Sequence, residues 1–341
     1  MRAYRPPLEG RARLLRLDFN ENTAGAPAAA RRALAALTAD RLAMYPEYAD
    51  ATREIARHFS VAVRELVLTN GTDDALHLIV DVFADAGDRV TVLAPTYAMY
   101  RFYAERAGAR VRSVRYDPGF AFPSARLQRA LAARPRVLFI ANPNSPTGTL
   151  AQPGEIAALL EAAPRTVVVI DEAYAEFSGA SVLPWIRRYP NLVVTRTFSK
   201  AQGLAGLRLG CLMANAGIIG ALAKAHSPYS VSAAALAAGC AVVRDPAPVR
   251  RYAAEVRASR AALFAALARL SIPCFPSAAN FILVDVGRRA RALVRGLAER
   301  GILVRDRRAD FRRPGFVRIT VGTHAQTRRL IHALEVLWPA R

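Results

Sequence analysis

The sequence predicts an α/β fold with a mostly parallel central sheet and a smaller α+β domain at the C-terminus. The 341 residues are enough for two domains at about 150 residues each. Up to about residue 235, runs that favour strands alternate with runs that favour helices, as in sheets whose parallel strands are joined by helices. Beyond that point, amphipathic helices at 248–270 and 290–300 alternate with short strands at 280–286 and 315–321.

Five apolar runs predict strands of the central sheet. The clearest is 166–170, because a near-continuous β-branched run is typical of a parallel strand buried on both faces. Residues 1–16 are basic, contain prolines and predict an extended arm. The other predicted strands are 65–69, 89–93, 136–140 and 192–196, and helices are predicted at 73–83 and 98–107.

The composition favours a folded protein that does not span a membrane. Apolar residues make up 53% of the chain and charged residues 22%, which excludes extensive disorder. The most apolar stretch, 231–243, is shorter than the roughly 18–20 residues that cross a bilayer, and the N-terminus lacks the apolar core of a signal peptide. Three widely spaced cysteines predict free thiols. We therefore expect a cytoplasmic protein.

The net charge of +21 comes almost entirely from arginine. Only Lys200 and Lys224 are lysines, and the arginines are spread along the whole chain. A nucleic-acid-binding surface would cluster them with aromatic residues in between, so we interpret the excess as a compositional bias. A basic nucleic-acid-binding protein is the alternative from another class. It predicts RNA binding that weakens steeply with salt and that does not need Lys200.

Four predicted strands end in polar, turn-rich segments, at 69–73, 142–148, 171–174 and 197–200. Ligands of open α/β sheets bind beyond the carboxyl ends of the strands, so these segments predict a site. Lys200 lies in the last of them. A lysine amine can form a Schiff base with a carbonyl group, whereas arginine does not deprotonate. A lysine retained in a chain this rich in arginine therefore favours a chemical role over an exposed surface position.

The other strand ends carry groups that suit a phosphorylated cofactor. Asp171 follows a buried strand, where it either caps the next helix or binds the protonated ring nitrogen of pyridoxal phosphate. Gly71, Thr72 and Asp73 open a helix whose backbone N–H groups can hold a phosphate, and Arg208 can complete that clamp. The glycine-rich run around Arg208 does not match a dinucleotide fingerprint, and the five histidines lack metal-ligand spacing.

Together these segments resemble the fold-type I, class I and II aminotransferases that use pyridoxal 5′-phosphate, and among them the histidinol-phosphate branch. The resemblance covers most of the chain and keeps the order of the motifs. It implies a large domain with a seven-stranded type of sheet at 41–235, a small domain at 236–341, and a segment 1–40 that packs with the small domain. It is carried by residues 17–22, 45–46, 95–100, 171–177, 196–208, 301–306 and 318–323.

The resemblance also implies a role for each residue of the site. Lys200 forms a Schiff base with the cofactor and then moves a proton, and Asp171 pairs with the ring nitrogen. Tyr174 binds the phenolic oxygen and Tyr97 stacks on the ring. Tyr45 reaches the cofactor phosphate of the neighbouring subunit, which implies a homodimer with shared sites. The residues implied to hold the phosphate are Thr72, Asp73, Ser199 and Arg208, and those implied to bind substrate are Tyr4, Asn20, Arg305 and Arg318.

One position departs from the family pattern. The family commonly has asparagine immediately before Pro-Thr-Gly, and here that position is Ser145. Either Asn144 makes the contact with the phenolic oxygen through a shifted loop, or Ser145 makes this contact with its shorter side chain. We expect Asn144 to make the contact.

The implied reaction is amino transfer between L-histidinol phosphate and 2-oxoglutarate, in histidine biosynthesis. Arginines suit both substrates, because a guanidinium group binds phosphate and carboxylate alike through paired hydrogen bonds. An aromatic amino-acid aminotransferase and a threonine-phosphate decarboxylase of the same family are the nearest alternatives, since fold alone does not fix the reaction.

Overall fold

The structure is a computed structural model that describes residues 9–339, and these residues form two β-sheets. The strands are β1 (Leu15–Leu17), β2 (Leu66–Thr69), β3 (Arg89–Ala94), β4 (Arg110–Arg115), β5 (Val137–Ala141), β6 (Val167–Asp171), β7 (Leu192–Thr197), β8 (Gly210–Ala214), β9 (Phe281–Asp285), β10 (Ile302–Asp306) and β11 (Phe316–Thr320). The helices are α1 (Ala28–Ala35), α2 (Ala39–Ala43), α3 (Ala49–His58), α4 (Gly71–Phe83), α5 (Ala98–Arg106), α6 (Ser124–Leu131), α7 (Pro153–Ala162), α8 (Ala175–Ser178), α9 (Ala216–Ala223), α10 (Ala233–Arg244), α11 (Ala247–Arg269), α12 (Ala290–Glu299), α13 (Arg308–Phe311) and α14 (His324–Leu337).

The larger sheet has seven strands in the order β2-β8-β7-β6-β5-β3-β4. Strands β3 to β7 are parallel, whereas β8 is antiparallel to both of its neighbours. Alternate residues of a strand point to opposite faces, so Val137 and Phe139 pack in one apolar core while Leu138 and Ile140 pack in another. Buried layers on both faces confirm the predicted α/β fold with a mostly parallel sheet.

The predicted strands are all present, but four further strands were not predicted. Strand β4 lies at the sheet edge and alternates arginine with apolar residues, so only Val114 is buried in it. Strand β8 is wholly buried but contains no β-branched residue. Strand β1 has only three residues, and β10 ends in the charged residues Arg305 and Asp306, and neither was predicted. The predicted helices at 248–270 and 290–300 are α11 and α12.

The smaller sheet joins the two ends of the chain, in the order β1-β10-β11-β9. Strand β1, which falls largely in the stretch expected to be an extended arm, pairs in parallel with β10, with Leu15 opposite Ile302. Strand β11 pairs antiparallel with both β10 and β9. The residues that follow β1 are thereby led to the carboxyl edge of the large sheet. The division into 1–40, 41–235 and 236–341 stays a prediction.

The carboxyl ends of β2, β5, β6 and β7 lie at one edge of the large sheet, because these strands run in the same direction. All four polar segments singled out in the sequence therefore meet there. In the part of the chain that the structure describes, no helix is long and apolar enough to cross a membrane. Cys211, Cys240 and Cys274 are free thiols.

An ion pair next to β2, between the buried Glu65 carboxylate and the exposed Arg187 side chain, makes the stability of the fold depend on pH. Both guanidinium nitrogens Nε and Nη2 of Arg187 donate to Glu65 at 2.8 Å, and the Ala62 N–H donates to Glu65 Oε2 at 2.8 Å. The hydrogen bonds from Arg187 lower the pKa of Glu65 from 4.5 to about 2. Because the pKa is lower in the folded state, this stabilisation is complete above pH 4.5 and is lost as the pH falls towards 2.

Replacing this carboxylate should therefore remove part of the acid sensitivity. We expect Glu65→Gln to lower the free energy of unfolding at pH 7, and the difference from the wild type to shrink between pH 4.5 and 2. Urea unfolding at several pH values measures both effects. Glu299→Gln, at an exposed carboxylate 3.9 Å from Arg295, is the control. A difference that stays constant over this range would contradict the prediction.

Candidate active site

A cavity of about 620 Å³ lies at the carboxyl edge of the large sheet, with the small sheet forming its other wall. Eleven of the fourteen predicted site residues line it. They are Asn20, Thr72, Asp73, Tyr97, Asp171, Tyr174, Ser199, Lys200, Arg208, Arg305 and Arg318. Residues that are far apart in sequence are thus brought into one space.

Lys200 lies three residues beyond the end of β7, in a turn that directs its side chain into the cavity. Its amine Nζ donates a hydrogen bond to the carbonyl oxygen of Phe19 at 3.0 Å. The Ser199 N–H donates to the Thr197 hydroxyl at 3.1 Å, which fixes the turn. The other lysine, Lys224, is exposed at the end of α9. The structure thus distinguishes the two lysines in position and environment.

Asp171 is the last residue of β6, and its carboxylate is buried in the cavity wall. It accepts hydrogen bonds from the Tyr100 hydroxyl at 2.7 Å and from the Ala173 N–H at 3.2 Å. Burial raises the pKa of the Asp171 carboxyl, and the hydrogen bonds only partly offset this effect. Among residues 9–339, no basic side chain forms an ion pair with it. A buried carboxylate of this kind is suited to a cationic ligand group.

Tyr100 is a site residue whose role sequence analysis missed. It is completely buried on α5, and its ring stacks on Phe139 at a centroid distance of 5.1 Å. Its position three residues after Tyr97 places both on one side of the helix, which was the available signal. Nothing in the sequence pairs its hydroxyl with Asp171.

The N-terminus of α4 and Arg208 together form an anion site. Thr72 and Asp73 are in the first turn of α4, where backbone N–H groups are unpaired and favour negative charge. Arg208 donates to the Ser199 hydroxyl at 3.2 Å and forms an ion pair with Asp73 at 3.4 Å. A Cβ atom on Gly71 would lie 2.3 Å from Arg208 Nη2, so the glycine lets the guanidinium group pack directly on the start of the helix.

Two tyrosines complete the cavity wall above the sheet. The Tyr97 hydroxyl donates to Asp73 Oδ1 at 2.7 Å, and the Tyr174 hydroxyl accepts from Asn20 Nδ2 at 2.9 Å. Asn20 is fully buried, and its side-chain oxygen accepts from the Thr320 hydroxyl at 3.0 Å. Asn20, in the N-terminal segment, therefore links Tyr174 to the small sheet and holds it in place.

The small sheet supplies the cationic wall. Arg318, on β11, is buried and donates to the Ser145 hydroxyl at 2.9 Å and to the Asp18 carbonyl oxygen at 2.6 Å. Arg305, on β10, lies with its guanidinium carbon 5.2 Å from the centre of the Phe19 ring.

The cavity also contains an ion pair that sequence analysis missed. Arg307 Nε lies 2.7 Å from Asp310 Oδ2, and both residues line the cavity. Burial raises the pKa of the Asp310 carboxyl, against the effect of the nearby arginines. With 46 arginines in the chain, no sequence pattern singles out Arg307.

Asn144 does not line the cavity described, and its expected contact with the phenolic oxygen stays a prediction. Its side-chain amide donates to the Pro95 carbonyl and to the Thr147 hydroxyl and accepts from the Thr96 hydroxyl, so it holds two loops together outside the cavity lining. Ser145 lines the cavity instead. The polar groups of the Asn144 amide are thus already satisfied within the protein.

One further predicted residue lies away from the cavity described. Tyr45 does not line it; its side chain is 76% exposed and its ring stacks on Tyr229 at a centroid distance of 4.4 Å. Tyr4 lies outside the described residues. Within residues 9–339, no cluster of histidine, cysteine and acidic side chains could hold a metal ion.

A lysine amine, a buried carboxylate and an anion site in one cavity are what a pyridoxal-phosphate enzyme of this fold requires. The chain belongs to the family "Aminotransferase class I and II", whose model matches residues 12–334. Enzymes of this family use pyridoxal 5′-phosphate, which confirms the predicted enzyme class and cofactor.

Individual relatives are more specific. The chain is 39% identical to the histidinol-phosphate aminotransferase of Symbiobacterium thermophilum, over 94% of this chain and 90% of that protein. The structure is similar to that of the histidinol-phosphate aminotransferase of Sinorhizobium meliloti in complex with pyridoxal-5′-phosphate, with a TM-score of 0.86 and 27% identity, over 95% and 90% of the two chains. It is also similar to the L-threonine-O-3-phosphate decarboxylase of Porphyromonas gingivalis, with a TM-score of 0.84 and 26% identity, over 95% and 99%.

The residues present fit this cofactor. Asp171 is a buried carboxylate whose raised pKa calls for a positive partner, and a protonated pyridine nitrogen supplies one. Because Gly71 has no Cβ atom, Arg208 can pack at the start of α4. A phosphate there can accept hydrogen bonds both from the guanidinium group and from the backbone N–H groups of the helix.

A matched pair of glycine substitutions tests the packing of Arg208 against the start of α4. Gly71 and Gly179 both have a φ of 73°, but a Cβ atom meets Arg208 at Gly71 and nothing within 4 Å at Gly179. Both alanine variants should lose about 1–2 kcal/mol of stability, because each forces alanine into the left-handed region. Only Gly71→Ala should also displace Arg208 and weaken cofactor binding, by about tenfold or more. Cofactor titration followed by absorbance measures this, and equal affinities in the two variants would contradict it.

Proposed function

We propose that this protein transfers the amino group between L-histidinol phosphate and 2-oxoglutarate, with pyridoxal 5′-phosphate as cofactor. The observation that carries the proposal is that the cavity containing Lys200 is lined on its other side by Arg305 and Arg318. One substrate presents a phosphate and the other presents carboxylates, and arginine binds both through paired hydrogen bonds. The 39% identity to a histidinol-phosphate aminotransferase supports the choice of substrate.

We propose a role in holding the cofactor for several of the residues that line the cavity. Asp171 would bind the protonated ring nitrogen, and Tyr174, held by Asn20, would donate to the phenolic oxygen. Tyr97 would cover the ring, and it is fixed by its bond to Asp73. The residues that would bind the phosphate are Thr72, Asp73, Ser199 and Arg208.

The cofactor supplies an electron-accepting ring that stabilises negative charge at the substrate Cα. Lys200 would take the proton from Cα and return it, because its amine lines the cavity and, unlike the arginines there, can act as a base. Its hydrogen bond to the Phe19 carbonyl oxygen orients the amine. Tyr100 positions Asp171 through the 2.7 Å hydrogen bond.

The substrate end of the cavity is organised around Arg318. Its bonds to Ser145 and to the Asp18 carbonyl hold the guanidinium group in place. Two partners fixed in advance lower the entropy cost of binding an anion there. We propose that Arg305 and Arg318 bind the phosphate of the amino donor and a carboxylate of the acceptor in turn. Tyr4 stays a predicted substrate residue.

A spectroscopic experiment tests the proposal. The purified protein loaded with pyridoxal phosphate should show a visible absorbance band. Histidinol phosphate should shift this band to that of the pyridoxamine form, and 2-oxoglutarate should restore it. A band that responds to phenylalanine and not to histidinol phosphate would overturn the substrate while keeping the enzyme class. Carbon dioxide released from threonine phosphate would indicate the decarboxylase.

We also propose a homodimer with shared sites. An exposed apolar patch supports it, formed by Leu42, Met44, Tyr45 and Tyr229, each 63–76% exposed. We propose that Tyr45 reaches the cofactor phosphate of a second copy, as the resemblance implies. Sedimentation of the wild type and of Tyr45→Arg should give a dimer and a weakened dimer, respectively. A wild-type monomer with full activity would contradict the proposal. A cytoplasmic location stays a prediction from the sequence.

A further inference from the structure

A second cavity, of about 630 Å³, lies between α11, the turn before α6 and the loop after β5. It shares no lining residue with the active-site cavity. Two arginines of α11, Arg257 and Arg260, line one side, and Phe120 and Phe122 line another. Positive charge on one side and aromatic surface on the other are the two features that an organic anion needs.

The two arginines lie three residues apart on α11, so their side chains are neighbours on one face of the helix. Arg260 donates to the Ala279 carbonyl at 2.6 Å, and Arg257 donates to the Glu176 carbonyl at 3.2 Å. Neither forms an ion pair with a carboxylate of residues 9–339. Each guanidinium group has five N–H donors, and none of these donors is paired with a carboxylate of residues 9–339.

The electrostatic environment of Arg260 differs from that of other partly buried arginines. Burial lowers the pKa of Arg260, and the positive charge of Arg257 lowers it further. By contrast, the pKa of Arg196 is raised, with Glu172 and Glu176 beside it. Two neighbouring like charges repel each other, and an anion bound between them would relieve the repulsion.

One carboxylate, that of Glu155, also lines the cavity. Its two oxygens are already used at the start of α7, where they accept from the Ser124 hydroxyl and from the Gln152 N–H. Glu155 therefore serves as a helix cap, and its charge is not paired with either arginine.

The aromatic wall is held in a fixed position. Phe120 has a φ of 62°, an unfavourable conformation for a bulky residue. Its carbonyl oxygen accepts from the Thr149 hydroxyl at 2.7 Å, and its ring packs edge-on against Phe275 at 4.7 Å. Backbone strain that is held by such contacts is typical of functional sites.

We propose that this second cavity binds a small organic anion, with its charged group on Arg257 and Arg260 and its apolar part against Phe120 and Phe122. The site is separate from the active site and does not depend on the proposed reaction. Its ligand class is a phosphate or carboxylate carried by a flat apolar group.

Phenyl phosphate is the probe that tests the proposal, titrated calorimetrically into the cofactor-loaded enzyme at low salt. Arg257→Gln and Arg260→Gln should each weaken its binding by about tenfold or more. Arg251→Gln, at an exposed position on the same helix, should leave the affinity unchanged. Inorganic phosphate should bind more weakly than phenyl phosphate, because it lacks the apolar part.

Three results would overturn the proposal. They are no binding to the wild type, binding to both arginine variants that is as tight as to the wild type, and binding that is lost in Arg305→Gln instead, which would locate the anion in the active site. Arg260→Gln removes the bond to Ala279 and could destabilise the fold, so thermal melting of each variant is recorded. Arg257 is exposed, and its variant keeps the test valid if Arg260→Gln fails to fold.

Discussion

Replacing Lys200 with alanine should reduce amino transfer by about 10⁴-fold or more, because it removes both the amine that reacts with the cofactor and the group that moves the proton. The fold should persist, since the lysine side chain contributes a single hydrogen bond among residues 9–339, to the Phe19 carbonyl. Steady-state turnover with histidinol phosphate and 2-oxoglutarate measures the loss, and circular dichroism checks the fold.

The chain supplies its own control, because Lys224 is the only other lysine. Lys224→Ala should keep full activity, since this residue is exposed at the end of α9. Borohydride reduction of the loaded enzyme should attach the cofactor to the peptide that contains Lys200 and not to the one that contains Lys224. A wild type without activity in either assay, together with a Lys200→Ala variant that binds RNA as the wild type does and in a salt-dependent way, would favour the basic binding protein.

Asp171→Asn should have two opposite effects. It should lower turnover by about 10²- to 10³-fold, because a buried ionic contact with the ring nitrogen is lost. It should also stabilise the cofactor-free protein at neutral pH. Burial raises the pKa of this carboxyl, so the unfolded chain ionises at lower pH than the folded one, and stability falls as the pH rises through that interval.

Thermal melting of the cofactor-free protein at several pH values separates the two effects. The wild type should lose stability relative to Asp171→Asn as the pH rises from the acid range, and should regain it on adding the cofactor. The exposed Asp245→Asn should change neither property. A cofactor-free Asp171→Asn variant that melts below the wild type at pH 7 would contradict this account.

The parts of the fold that could be predicted are those where one physical effect dominates. The run at 166–170 is β-branched because both faces of β6 are buried, so its pattern identifies the strand. Strand β4 is exposed at the sheet edge and β8 contains glycine, cysteine and alanine, so neither has such a pattern. Strand β1 is defined by its pairing with β10, which no local sequence encodes.

The residues of the site also divide into those that the sequence could predict and those that it could not. Asp171 ends β6 and Lys200 lies three residues beyond β7, so the direction of the chain places both at the sheet edge. Tyr100 and Asp310 enter the cavity through tertiary packing, and their contacts are visible only in the structure. The contacts of Asn144 are also visible only in the structure, because the family pattern does not reveal that its amide binds Thr96 and Thr147.

The contacts of Asn20 have a consequence for how the protein is made. Asn20 and Thr320 are hydrogen bonded across 300 residues, and β1 pairs with β10 across a similar separation. Contacts this distant in sequence form late, because a long loop must close first. During synthesis, the tyrosine that Asn20 holds cannot be fixed until almost the whole chain has left the ribosome. Cofactor capture would then mark the completion of folding, and chains that stop short of β11 would fail to retain it.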